Sequence, residues 1–322
     1  MIYANLGRTG LKVSRLCLGT MNLGKIVPEP ESHAILDRGT DLGINFIDTA
    51  DVYGGVGNRG RTEEILGRWL AKTGKRKDLV VASKVYGTMG DGPNDARLSA
   101  FHIRRACEAS LQRLQTDHID LYQMHHIDRS TGWDEIWQAM DQLVREGKII
   151  YVGSSNFAGW HIVDANHAAA RRHLLGIVSE QCLYNLTNRT VELEVIPACK
   201  KLGIGLIPWS PVAGGLLSGM DPKVRGIRRS GDEAAALLNK HSKQVEAYES
   251  LCRNIGRTPA SVALAWLLSN PAVTAPIIGP RTVEQVEESL PALEIEMTQE
   301  LRVRLDAIWP GPGGESPEAY SW

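Results

Sequence analysis

Asp48, Tyr53, Lys84 and His125 are the residues of this chain whose types and placing could do chemistry together. A lysine ammonium beside a tyrosine favours the phenolate and makes the phenol a better acid. A carboxylate beside that lysine keeps it charged and in place. An imidazole supplies a hydrogen bond to a carbonyl oxygen. The set meets the needs of general acid catalysis during hydride delivery. Each residue alone usually has a structural task; the spacing gives the set its weight. Asp48 ends the apolar run INFID (44–48), with Tyr53 in the loop just after it. Lys84 ends LVVASK (79–84), and His125 follows DLYQM (120–124).

A second constellation suits a nicotinamide cofactor. Ser155 and Asn156 lie in GSSNF, after a fifth apolar run; Gln181 ends the sixth and Trp209 the seventh. A carboxamide needs donors and an acceptor, which Ser, Asn and Gln supply. The indole of Trp209 offers a face for the ring. The alternative is that Trp209 only packs the barrel and Asn156 only caps a helix. A third constellation is GPRTVEQVEES (279–289), a glycine turn opening a helix. Free N–H groups at such a helix start suit a phosphate, and Arg281 adds a fork for the 2′-phosphate of NADP.

The elements that must position these groups alternate along the chain. Residues 2–5 and 11–13, around GRTG, form a small N-terminal hairpin. Eight strands are predicted over 15–19, 44–48, 79–84, 118–124, 149–154, 176–181, 204–209 and 275–279. They are short and mostly rich in Ile, Val and Leu, as in a parallel sheet buried on both faces. Helical periodicity covers 30–42, 61–73, 99–114, 133–146, 159–171, 191–201, 258–269 and 282–290. Gly43, Gly74, Gly147 and Gly203 stand as C-terminal stops, and Pro259 opens a helix. Eightfold alternation predicts an α/β (β/α)8 TIM barrel, one domain over 1–322, with strand ends converging on one face. No GxGxxG follows the first strand, which counts against a Rossmann start. A long Gly-rich, basic loop covers 210–240 after strand seven. For the tail, 309–322, two readings stand: Tyr320 and Trp322 cover the barrel mouth, or the tail frays.

Composition narrows the classes. The chain has 322 residues, 43% hydrophobic and 23% charged, with formal net charge −1. That balance argues against nucleic-acid and membrane-surface partners. Lys75-Arg76-Lys77 reads as a solvated turn. Five scattered cysteines without a CxxC predict buried thiols, no disulfide framework and no metal site. No apolar run approaches a membrane span and the N-terminus lacks an apolar leader, so a cytoplasmic protein is predicted.

The motifs LGTM (18–21), FIDTADVYG (46–54), VASKVYG (81–87), DHIDLYQMHHID (117–128), YVGSSNF (151–157), SEQCLYN (179–185), WSPVAGGLLSG (209–219) and GPRTVEQVEES (279–289) resemble those of the aldo-keto reductases, in the same order. The resemblance implies a barrel that uses NADPH/NADP+ without a Rossmann fold and reduces a small carbonyl substrate. It implies Tyr53 as general acid, Lys84 and Asp48 as its tuning pair, and His125 as director of the carbonyl. His126 then falls outside the tetrad, as a loop or pocket residue. The family's cofactor positions fall on Thr20, Met21, Asp48, Ser155, Asn156, Gln181, Trp209, Ser210, Pro211, Val212, Ala213, Gly214, Gly279, Pro280, Arg281, Gln285, Glu288 and Ser289.

Two positions depart from that pattern. Ser289 stands where many members have an adenine-reading asparagine, and Met220 where many have a lysine over the phosphates. Lys223, Arg225, Arg228 and Arg229 are the candidates to compensate. The chain is similar both to deoxysugar-pathway reductases acting on nucleotide-activated keto-sugars and to broad aldehyde reductases. It also resembles potassium-channel β subunits, nicotinamide-binding regulatory proteins whose slow catalysis goes with a changed histidine position; His125 is retained here. Relatives that reduce a steroid double bond carry Glu at that position. Trp133, Phe157, Trp160 and Tyr86 are candidate pocket walls by nearness to strand ends. Oligomeric state stays open.

Overall fold

The computed structural model describes residues 1–55, 57–219, 236 and 238–321, with the backbone alone at 320 and 321. Met220, the basic residues Lys223, Arg225, Arg228 and Arg229, Trp322 and the side chain of Tyr320 lie outside the described residues.

Two short strands, β1 (Tyr3–Asn5) and β2 (Lys12–Ser14), pair antiparallel as the expected hairpin. Leu6 and Val13 from this segment join the barrel-interior cluster with Cys17, Phe46, Leu121 and Val178. The hairpin therefore closes the N-terminal end of the barrel with apolar side chains, opposite the end where the polar groups gather.

The barrel strands are β3 (Cys17–Gly19), β4 (Phe46–Asp48), β5 (Val80–Val85), β6 (Ile119–Met124), β7 (Ile149–Ser155), β8 (Ile177–Gln181), β9 (Gly205–Leu206) and β10 (Ile277–Ile278). They run parallel in one sheet, β10-β3-β4-β5-β6-β7-β8-β9. Hydrogen bonds from Leu206 N to Ala272 O, Thr274 N to Leu206 O and Ile277 N to Pro208 O bring the two edges together. This is the (β/α)8 barrel that the alternation predicts. The last two strands are much shorter than their apolar runs, because their flanking residues serve the closure instead of a regular ladder.

The outer layer holds α1 (Glu29–Asp41), α2 (Arg61–Thr73), α3 (Ala100–Leu114), α4 (Trp133–Arg145), α5 (Gly159–Arg171) and α6 (Val195–Leu202). Then come α7 (Ser242–Asn254), α8 (Pro259–Leu268), α9 (Val283–Glu287), α10 (Gln299–Ile308) and α11 (Glu318–Ser321). In α2, Ile65, Leu66, Trp69 and Leu70 face the strands, and Gly74 stops the helix in the left-handed region (φ 66°). Thr258 caps α8, with Pro259 in its first turn as expected.

Some expectations need correction. The helix expected over 191–201 is split into a 3-10 turn at Thr190–Glu192 followed by α6. The one expected over 282–290 is the five-residue α9, followed by a 3-10 segment at Leu290–Glu294. Helices α7 and α10 were not anticipated, although Val245, Tyr248, Leu251 and Cys252 recur at helical spacing. The basic stretch is only partly solvated. Arg76 is mostly buried and binds Asp120 Oδ2 at 2.8 Å, Thr116 and the His118 carbonyl, pinning the turn to the start of β6. All five cysteines are buried free thiols. Among the described residues no helix is long and apolar enough to cross a membrane.

Candidate active site

Strand register decides which side chains meet. Asp48 pairs with Ala82, Lys84 with Gln123, Gln123 with Gly153, and Ser155 with Gln181. At the C-terminal ends of the strands this places Asp48, Lys84, Gln123 and Gln181 together in the barrel. Between Val152 and Gly153 of β7 the partner jumps from Ile177 to Ser179, a one-residue bulge in β8. Val178 still points into the apolar interior. After the bulge, Ser179 and Gln181 also face inward, and Glu180 faces the helices.

Lys84 is completely buried, and its ammonium has three acceptors: Asp48 Oδ2 at 2.6 Å, the Thr49 carbonyl at 2.9 Å and Tyr53 Oη at 3.0 Å. Burial alone would lower its pKa, but Asp48 and Tyr53 hold it above the ordinary lysine value. The other Asp48 oxygen accepts from Gln123 Nε2 at 3.0 Å and Gln181 Nε2 at 2.8 Å. Thr20 donates its N–H and hydroxyl to the Asp48 carbonyl. The buried charge pair thus has its lone pairs and protons matched, as such a pair requires.

Tyr53 sits in the turn after β4, half-buried. Its carbonyl accepts from Gly60 N and Thr62 N, which fixes the turn. Gly54 beside it has φ 128°, and a Cβ there would lie 2.0 Å from the Asn58 carbonyl oxygen, so only glycine fits. Burial pushes the Tyr53 phenol above its ordinary value, against the downward pull of Lys84. The expected net lowering is therefore not found: desolvation outweighs the ammonium. Tyr53 stays protonated at neutral pH, in the form that can give a proton.

His125 follows β6, with its ring 6.0 Å from the Tyr53 ring and nearly perpendicular to it. Burial, then Lys84 and His126, lowers its pKa to about 2. The imidazole is neutral across the working range and can donate from one nitrogen. The pH profile of kcat/KM should accordingly have no limb near the ordinary histidine value of about 6.5. A limb there that His125→Gln removes would show instead that this ring titrates.

A cavity of about 540 Å³ opens over this group. Among the candidate residues, Tyr53, Asp48, His125, Thr20, Met21, Ser155, Asn156, Gln181 and Trp209 line it. So do Ser210, Pro211, Val212, Gly214, Gly279, Pro280, Arg281, Gln285, Glu288 and Ser289. Lys84 lies beneath it and reaches it through Tyr53. Ala213 does not line it: it takes a left-handed turn (φ 50°), and its methyl packs on the apolar layer between strands and helices.

Donor and acceptor arithmetic at the closed end fits a carboxamide. Asn156 Nδ2 donates to the His125 carbonyl and Ser155 Oγ, and its Oδ1 accepts from Trp209 Nε1 at 3.0 Å. Asn156 can therefore offer a ligand only its remaining lone pair, Ser155 its hydroxyl hydrogen, and Gln181 its carbonyl oxygen. Asn156 does not cap α5, whose N-cap is Ala158. Trp209 both packs on the barrel interior and faces the cavity. At the far end, α9 is too short to carry much dipole. Its N-cap Thr282 already accepts from Gln285 N, while Gln285 Oε1 holds Arg281 N at 2.8 Å.

Of the proposed walls, only Tyr86 comes near the cavity, edge-on to His126, which lines it. Trp133 binds Asp164, Phe157 is buried between Trp133 and His161, and Trp160 points outward on α5. Gln123 was missed, although it lies near the end of β6, two residues before His125. Asn22, which ties its loop to the Gly279 carbonyl at 2.9 Å, carried no signal in the sequence.

Comparison with known proteins agrees with this geometry. Residues 15–310 match the model of the aldo/keto reductase family. The chain is 54% identical over 327 residues to a Bacillus subtilis (strain 168) protein described as "Uncharacterized oxidoreductase YrpG", covering 100% of both chains. It is 36% identical over 308 residues to a "Probable voltage-gated potassium channel subunit beta" of Arabidopsis thaliana, covering 92% of each. It is 33% identical over 330 residues to "Versiconal hemiacetal acetate reductase" of Aspergillus parasiticus, covering 93% of this chain and 94% of the other.

Proposed function

The chain belongs to the aldo/keto reductase family and is an oxidoreductase acting on carbonyl groups, and we propose that it reduces an aldehyde or ketone to the alcohol with NADPH, using Tyr53 as proton donor. The observation that carries this reading is the saturated Lys84 ammonium, 3.0 Å from the Tyr53 hydroxyl at the floor of the cavity. The reading takes residues 1–322 as one barrel domain.

When bound, NADPH supplies hydride to the carbonyl carbon. The residues do the rest. Ser155, Asn156 and Gln181 hold the carboxamide, and Trp209 gives the ring a flat wall. His125 donates a hydrogen bond that sets the carbonyl oxygen near Tyr53. As negative charge grows on that oxygen, the Tyr53 proton crosses to it. The phenolate left behind is stabilised by Lys84, itself held charged by Asp48.

The test is consumption of NADPH with a panel of aldehydes, a dicarbonyl, a short ketone and a nucleotide-linked keto-sugar. Turnover on the simple carbonyls supports a broad reductase; turnover on the keto-sugar alone narrows the substrate to that class. Likeness to the plant protein described as a channel β subunit favours a second reading, a nicotinamide-binding subunit with little turnover. Tight NADPH binding with no turnover on the whole panel would support that one.

Cofactor choice is assigned to Arg281. Arg281→Ala should raise the KM for NADPH far more than that for NADH, since only NADPH carries the 2′-phosphate a guanidinium fork would grip. Steady-state kinetics with both cofactors decides it; equal effects would remove Arg281 from that role.

A further inference from the structure

Glu180 is a fully buried carboxyl group for which the chemistry above has no use. The bulge in β8 turns it out of the barrel toward α5 and α6. Its Oε1 accepts from Phe157 N at 3.0 Å, and its Oε2 shares a hydrogen with Ser154 Oγ. Ser154 Oγ also reaches the Ser179 carbonyl at 3.4 Å. No cation acts on Glu180 among the described residues. The titratable groups facing it are Cys182 after β8 and Cys199 on α6, both thiols pushed up by burial. On α5, His161 is engaged with Ala158 N and Arg129.

A buried acid without a cation keeps its proton. Burial raises this one to about 8. In the neutral form every bond is satisfied: the acid O–H donates to Ser154, Ser154 donates to the Ser179 carbonyl, and the other oxygen accepts from Phe157. These bonds grip both ends of the turn Ser154–Phe157. That turn carries Ser155 and holds Asn156 in the left-handed region (φ 59°), with Asn156 N bound to the Gln181 carbonyl.

We propose that Glu180 is a positioning residue for the nicotinamide cofactor, pinning the turn that presents Ser155 and Asn156, and that its ionisation biases binding from NADPH toward NADP+. The oxidised ring is cationic and the reduced ring is not, so a buried anion behind the turn favours the oxidised form. The proposal rests on the reading that Ser155 and Asn156 hold the carboxamide.

The experiment measures dissociation constants for NADPH and NADP+ by quenching of tryptophan fluorescence, at pH values on both sides of about 8. The proteins are the wild type, Glu180→Gln, Glu180→Leu and Asn156→Ala. In the wild type the ratio of the NADPH constant to the NADP+ constant should rise several-fold with pH. In Glu180→Gln, whose amide reproduces both hydrogen bonds of the neutral acid, the ratio should stay flat and neutral-pH affinity should match wild type. Glu180→Leu, which frees the turn, should bind both forms about tenfold more weakly, a loss of about 1.4 kcal/mol. A wild-type slope retained in Glu180→Gln overturns the proposal, and that variant decides alone if Glu180→Leu does not fold. Unchanged affinity in Asn156→Ala overturns the carboxamide reading beneath it, a separate failure.

Discussion

Tyr53→Phe is expected to lower kcat by about 10²–10⁴-fold, the usual share of a positioned general acid, while NADPH affinity stays as in the wild type. Among the described residues the hydroxyl makes one hydrogen bond, to Lys84 Nζ. Removing it leaves that ammonium with Asp48 Oδ2 and the Thr49 carbonyl. The ion pair survives, and the fold should lose only about 1 kcal/mol, as for one ordinary hydrogen bond. Cofactor titration and single-turnover kinetics on the same preparation separate the two effects. Near-wild-type turnover would take the proton-donor role from Tyr53. The reverse reaction adds a check on sign: alcohol oxidation needs the phenolate, so with a phenol held above its ordinary pKa it should climb as pH rises.

Lys84→Met is expected to remove activity and also to weaken the fold. Met has nearly the length of Lys but no charge. Asp48, buried to 2% exposure, would keep only the amide donors of Gln123 and Gln181. Breaking a buried pair from one side costs roughly 3–5 kcal/mol. Denaturant midpoints should fall several times further in Lys84→Met than in Tyr53→Phe. The double variant Asp48→Asn with Lys84→Met removes the stranded charge as well. It should recover much of the stability and none of the turnover. If the double variant is no more stable than Lys84→Met, the cost lies in packing and not in the unpaired carboxylate.

That Asp48, Tyr53, Lys84 and His125 come together was legible because three of them end or follow apolar runs, and a parallel barrel turns the ends of such runs toward one mouth. Boundaries were legible where a backbone constraint ends or opens a helix, as at Gly74 and Pro259. Other features depend on contacts between distant segments, which a local pattern does not carry. Arg76 looked solvated because its partners, Thr116, the His118 carbonyl and Asp120, lie some forty residues away. Trp133, Phe157 and Trp160 follow strand ends but turn into the helical layer or outward. The direction of the Tyr53 shift depended on how deeply the phenol is buried, which spacing does not reveal. Ala213 sits within a motif whose other residues reach the cavity, yet its own φ turns it away.

The extra residue in β8 has a consequence for how this protein can change. Between Val178 and Gln181 the strand places an acid and an amide side by side, and a single backbone irregularity decides which of them meets Asp48. Loss of Val178 or Ser179 would restore plain alternation and leave Glu180 facing the helices and Gln181 facing Asp48. Drawing the bulge flat with no residue lost would instead carry Glu180 inward and Gln181 out to the helices. The floor of the cavity would then exchange a neutral hydrogen-bond donor for a second carboxyl group beside Asp48 without any side chain being substituted. The bulge therefore sets the chemistry of the floor as firmly as a side chain does.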